Sequence, residues 1–169
     1  MKVFAMIRLP EIGGAVRARR QEVGLSSQQL AAFSGMDAQT LIALENGTLP
    51  DMGYSQLAAL LQLLSLSFGG LSTSARLTKR GLWMAAKNIS VSYRTEISPD
   101  LLRGVLQTGS CSPDYTSNIG TFLDETPLEL VIMAVEETAD DAQARAHIWR
   151  QIAGLACQLG SARSALWGI

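Results

Sequence analysis

The chain has 169 residues, of which 47% are hydrophobic and 17% are charged, and its formal net charge is −1. This length accommodates one ordinary domain or two small ones. The composition excludes a disordered chain, and the net charge excludes nucleic-acid binding through bulk positive charge alone. No apolar run reaches the roughly 18 residues of a membrane helix, and the N-terminus lacks a signal-peptide pattern. We therefore expect a cytoplasmic protein with no membrane partner.

Four helices are predicted in the first part of the chain, and a glycine follows each of the first three. The first helix covers residues 11–23. Ser26 and Gln29 have the spacing of a capping box, in which each side chain bonds the other residue's backbone, so a second helix starts there. Asp37 is placed to cap a third helix, and residues 54–66 predict a fourth. Short helices joined by a glycine turn are typical of a helix-turn-helix unit.

The second part of the chain is predicted to be mostly helical. Residues 69–74 are rich in Gly, Ser and Thr and predict a linker. Ile89, Val91 and Tyr93 alternate with polar residues, which favours one short strand or hairpin. The expected domains are residues 1–68, a linker at 69–74 and a helical domain at 75–169. Helices are predicted at residues 75–88, 98–107, 113–124, 127–138 and 140–159.

Four segments of the first part resemble a known family. They are similar to the lambda-repressor-like (phage repressor and Cro, XRE-type) helix-turn-helix domain, and they run from Ile12 to Ser26, from Gln29 to Ala31, from Gly35 to Leu41 and from Leu44 to Gly47. The resemblance covers residues 11–68. It implies a DNA-binding fold whose third helix enters the major groove of double-stranded DNA.

The resemblance also implies which residues contact DNA. Gln39 is the best candidate for base recognition, because a side-chain amide can bond adenine at two atoms. Ile42 or Ala43 could contact a thymine methyl group. The full set of expected base contacts is Asp37, Ala38, Gln39, Ile42 and Ala43, and the expected phosphate contacts are Arg17, Arg19, Ser27, Gln28, Thr40 and Asn46.

Two further implications concern charge. By their positions in the family, Arg20 and Glu45 form a structural ion pair between the first and third helices. The third helix carries no Lys or Arg, and residues 1–68 contain five basic and five acidic residues. A domain with few phosphate contacts binds DNA weakly as a monomer. Three possibilities follow: a dimer doubles the contacts, another segment assists, or the domain no longer binds DNA tightly.

A basic segment follows the linker. Arg76, Lys79, Arg80 and Lys87 form either a solvated helix face or an accessory patch for phosphate. Farther on, seven acidic residues between Asp124 and Asp141 could face a basic partner or keep the protein soluble.

No catalytic set, metal site or cofactor motif is found. His147 is the sole histidine, and Cys111 and Cys157 have no metal-binding spacing. The sequence thus predicts a non-enzymatic, nucleoid-associated transcription regulator, most simply a homodimeric repressor. The alternative is an antitoxin that binds a toxin through residues 75–169 and represses its own operon. A weaker third hypothesis is a small-molecule sensor.

Overall fold

A computed structural model describes residues 7–66, 80–91 and 95–168. Its regular structure consists of helices. No strand is present in these ranges, and the predicted mainly α fold is confirmed. The helices are α1 (Leu9–Glu22), α2 (Ser27–Ser34), α3 (Ala38–Glu45), α4 (Tyr54–Leu63), α5 (Gly81–Ser90), α6 (Pro99–Thr108), α7 (Thr116–Asp124), α8 (Leu128–Thr138), α9 (Ala142–Leu159) and α10 (Ser164–Trp167), with a 3-10 turn at Pro113–Tyr115.

The local signals at the starts of α2 and α3 act as predicted. Ser26 Oγ accepts a hydrogen bond from the Gln29 amide at 3.1 Å, and Gln29 Oε1 accepts one from the Ser26 amide at 2.8 Å. Asp37 Oδ2 accepts the Thr40 amide at 3.1 Å. These bonds satisfy amides that have no partner within the helix, so the two helix starts are determined locally.

The prediction of a strand at residues 89–93 is wrong where the structure describes it. Ile89 and Ser90 form the last turn of α5, and Val91 follows that turn. Ser90 Oγ donates to the Ala86 carbonyl at 2.7 Å, one helical turn back. Ile89 is buried whereas Val91 is exposed, so the alternation of residue types does not reflect the two faces of a sheet.

The predicted linker at 69–74 lies outside the described residues. The helix predicted from residue 75 is described from Gly81, since residues 67–79 also lie outside. The division into domains therefore remains a prediction. None of the helices in the described ranges is both long and apolar enough to cross a membrane.

The helices α1–α4 and α5–α10 share one continuous hydrophobic core. In the second group, α8 is central and packs against α5, α6 and α9. Where the two groups meet, Phe33 of α2 makes edge-to-face contacts with Trp149 of α9 and Trp167 of α10, with ring centroids 5.4 and 5.7 Å apart. The helical second group is thus docked on the C-terminal end of α2.

Side chains of α9 also cap the C-terminal end of α1. Trp149 Nε1 donates to the Val23 carbonyl at 2.8 Å, and Arg145 Nη1 donates to the Glu22 carbonyl at 2.8 Å. The last carbonyls of a helix have no partner inside it. Here the partners come from residues more than 120 positions away in the sequence, so the position of α1 depends on α9.

Candidate nucleic-acid interface

The third helix has one buried side and one exposed side. Leu41, Leu44 and Glu45 face inward, and α3 packs against α1 and α2. Gln39 and Asn46 are exposed, and Ile42 keeps 40% of its surface exposed. A helix with this division presents a continuous strip of side chains to solvent. This strip is the candidate interface with DNA.

The structure brings three of the five predicted base contacts together. Gln39, Ile42, Ala43 and the predicted phosphate contact Asn46 follow the spacing i, i+3, i+4, i+7, so they lie on one face of α3. Ala38 lies one turn before Ile42 and borders this face, and the capping residue Asp37 lies at the N-terminal end of the helix. Gln39 and Ile42 therefore combine an amide and an apolar group at adjacent positions on the exposed face.

The predicted phosphate contacts are more scattered. Ser27 and Gln28 start α2, where unpaired backbone amides favour an anion. Thr40 is half-buried, and its hydroxyl lies 3.4 Å from Asp37 Oδ2. Arg17 is exposed on α1. These positions are accessible to a phosphate, and their contact with DNA remains a prediction.

The prediction that Arg19 contacts a DNA phosphate is wrong, because this side chain is not accessible to DNA. Its guanidinium is buried between the two helix groups, where it donates two hydrogen bonds to the carboxylate of Glu136 at 2.6 and 2.7 Å. It also donates to Glu22 at 2.7 Å and to the Leu64 carbonyl at 3.2 Å. Burial by itself lowers the pKa of Arg19, but the bonds and charges of Glu136 and Glu22 outweigh it and raise the pKa. Arg19 is therefore a charged tie between α1 and α8.

Arg20 and Glu45 lie as the resemblance implies. Arg20 Nε and Nη2 donate to the two carboxylate oxygens of Glu45 at 2.7 and 2.9 Å, and Nη1 donates to the Leu25 carbonyl at 2.9 Å. This pair joins α1 to the C-terminal end of α3. With Arg19 and Arg20 both engaged, Arg17 is the arginine of α1 that remains exposed.

The predicted accessory patch is described only in part. Arg76 and Lys79 lie outside the described residues. Arg80 and Lys87 are exposed, and Lys87 Nζ lies 4.0 Å from Glu96 Oε1. A neighbouring carboxylate partly neutralises Lys87, so this half of the patch is less basic than the sequence suggests.

Several acidic residues of the second part have structural partners. Glu136 binds Arg19, Glu137 accepts the Leu82 amide at 2.8 Å, and Asp141 caps α9. Asp124 accepts the Ala162 amide at 2.9 Å. Glu136, Glu137 and Asp124 thus connect different elements, whereas the contact of Asp141 is local to α9.

The residues that hold the candidate interface in place had no local signal in the sequence. Glu136, Arg145, Trp149 and Trp167 hold α1 and α2 from outside the first four helices, and both tryptophans contact Phe33 of α2. Their partners are distant in the sequence, and an apolar or charged residue on a helix does not reveal which distant residue it meets. A tertiary structure was needed to find them.

Comparison with known proteins matches part of the chain to a family. Residues 16–68 match the model of the helix-turn-helix family. No curated protein and no solved structure was found to match the chain. The matched range contains the capped starts of α2 and α3 and the exposed strip of α3. Residues 16–68 of this chain are therefore a helix-turn-helix domain of the XRE, or lambda-repressor-like, type, which indicates a DNA-binding regulator.

Proposed function

We propose that this protein is a sequence-specific, homodimeric transcription repressor that acts by occluding a promoter, without catalysis. Its partner is double-stranded DNA at the nucleoid, read by the exposed strip of α3. Two copies on a palindromic operator would place their recognition helices about one helical turn, roughly 34 Å, apart.

The observation that carries the proposal is the composition of the exposed strip. Gln39 and Ile42 are exposed one helical turn apart, on a helix whose other side is fixed by Leu41 and Leu44. An amide can pair with adenine in the major groove, and a neighbouring apolar side chain can contact a thymine methyl group. A rigid helix that presents both groups supports sequence discrimination through base contacts.

The charge distribution supports the need for two copies. Arg17 is exposed, whereas Arg19 and Arg20 are engaged in ion pairs within the protein. Affinity for DNA depends on the number of phosphates neutralised by Lys and Arg. A single domain with so few available cations should bind weakly, and a dimer doubles its contacts.

The test measures binding of labelled DNA from the gene's own upstream region by fluorescence anisotropy, against a scrambled duplex, at several salt concentrations. We expect tighter binding to the native fragment, with a salt dependence shallower than that of a protein with about six to ten phosphate contacts. Gln39→Ala should weaken binding to the native fragment about five- to hundredfold, the range of one two-bond base contact.

The matched control is Gln62→Ala, which removes an exposed glutamine near the end of α4. This variant should bind the native fragment like the wild type. Equal affinity of the wild type for both duplexes, or loss of binding in both variants alike, would contradict the proposal. The antitoxin alternative, in which the helices after the domain bind a toxin, would then be the hypothesis to test.

A further inference from the structure

The outer face of α5 carries exposed apolar side chains. Trp83 is 47% exposed, Met84 41% and Val91 84%. With Lys87 they occupy positions i, i+1, i+4 and i+8, which lie along one side of the helix. We call these four residues the α5 stripe. The opposite side of α5 is buried, and α5 packs against α8. The exposed side is thus an apolar surface on a firmly held helix, the kind of surface that marks an interaction site.

A shallow groove of about 320 Å³ lies beside the α5 stripe. Trp83 and Lys87 line it from α5, and Ile97 and Pro99 line it from the segment that leads into α6. Met84 and Val91 project on the other side of the stripe. One surface therefore has both a depression, lined by apolar and charged side chains, and apolar projections beside it.

The same surface carries both signs of charge. Lys87 Nζ lies 4.0 Å from Glu96 Oε1, both side chains are exposed, and Glu96 also lines the groove. In a twofold dimer, the same patch of both copies meets face to face. If the patch has a projection beside a depression, or a cation beside an anion, each feature of one copy can face its complement on the other. The α5 stripe and its groove meet this condition in both shape and charge.

We propose that the α5 stripe is a dimer interface that binds a second copy of this chain about a twofold axis passing near Lys87. Met84 and Val91 of each protomer cover the groove beside Trp83 of the other. Lys87 of each protomer approaches Glu96 of the other. This proposal deepens the proposed function, because such a dimer sets the spacing of the two recognition helices, but the contact itself needs no DNA.

The first experiment measures the dissociation constant of the dimer by sedimentation equilibrium of the full chain without DNA. We expect the wild type to dimerise and Met84→Glu to raise the dissociation constant about tenfold or more, because a charge replaces a central apolar contact. Tyr54→Glu is the matched control, since Tyr54 is an exposed large side chain at the start of α4. It should leave the dimer intact.

The second experiment separates the interface from a loss of folding. Lys87→Glu gives a protomer with two acidic groups at this position, and Glu96→Lys gives one with two basic groups. Each variant alone should dimerise at least about tenfold more weakly, because like charges face each other across the axis. An equimolar mixture should recover a dimer of near wild-type affinity, since opposite charges then meet. Such recovery also shows that both variants are folded.

The outcomes are distinguishable from those of the DNA test. A wild type that remains monomeric, or a dimer unaffected by Met84→Glu, would overturn this interface. So would a mixture of charge variants that dimerises no better than either alone. Gln39→Ala should remain fully dimeric, so a dimer that binds both duplexes equally would support the interface while contradicting the proposed function.

Discussion

At the scale of single residues, Asp37 combines a stabilising contact with an unfavourable charge. Its carboxylate accepts the Thr40 amide and caps α3, yet it is exposed at the N-terminal end of the proposed recognition helix. Asparagine caps a helix about as well as aspartate. Asp37→Asn should therefore keep the fold and remove repulsion from phosphate. We expect affinity for any duplex to rise about fivefold at low salt, measured by anisotropy.

Asp141 offers the matched control for this substitution. It caps α9 in the same way, with Oδ1 accepting the Ala144 amide at 2.8 Å. Asp141→Asn should leave DNA binding unchanged. An affinity that is unchanged or lower in Asp37→Asn, with an intact melting temperature, would contradict the placement of α3 against DNA.

At the scale of elements, substitutions of two glycines separate the energetic cost of backbone strain from the cost of disturbed helix packing. Gly24 after α1 and Gly35 after α2 both have positive φ, +76° and +66°. A Cβ at Gly24 would lie 2.5 Å from the Ala146 amide nitrogen of α9, whereas a Cβ at Gly35 would meet no atom within 4 Å. Gly35→Ala should cost only the backbone term, about 1 kcal/mol of unfolding free energy.

Gly24→Ala should cost clearly more, about 2 kcal/mol or above, because α9 must also move away from α1. Chemical denaturation of both variants measures the two free energies. Equal losses would mean that α1 and α9 do not approach each other this closely in solution.

At the scale of the whole molecule, Arg19 couples the helix-turn-helix domain to the helices that follow it. Arg19→Met leaves Glu136 without its buried cation, and we expect the unfolding free energy to fall by about 2 kcal/mol. Glu22→Gln removes the exposed partner of the same arginine and should cost less than about 0.5 kcal/mol. The difference between the two losses of unfolding free energy measures the contribution of the buried contact between Arg19 and Glu136.

Arg19→Met should also separate two signals of unfolding, tryptophan fluorescence and circular dichroism. Trp149 and Trp167 both contact Phe33 across the junction, so their fluorescence reports docking, while circular dichroism reports helix content. In a Trp83→Phe background the two transitions should coincide. With Arg19→Met added, fluorescence should change first. Coincident transitions in both proteins would indicate that Arg19 does not control docking.

The sequence by itself determined the elements and the family of the first part. Ser26, Gln29 and Asp37 bond backbone groups within three residues, and a contact this short depends on nothing else in the chain. The i, i+3 spacing of Leu41 and Leu44, both buried, is likewise readable within one helical turn. The starts of α2 and α3 follow from such short-range rules, and the residues of the exposed strip follow from the resemblance.

The tertiary structure alone decided the roles of residues whose partners are distant. Arg17, Arg19 and Arg20 are near neighbours on one helix, but one is exposed, one binds α8 and one binds α3. The resemblance implied the contact of Arg20 with α3, whereas only the tertiary structure separated Arg17 from Arg19. A charged side chain suits all three environments, so its type does not select among them. The prediction of a strand at Ile89 was wrong for a related reason. A segment this short fits both a helix pattern and a strand pattern, and packing against the core decided between the two structures.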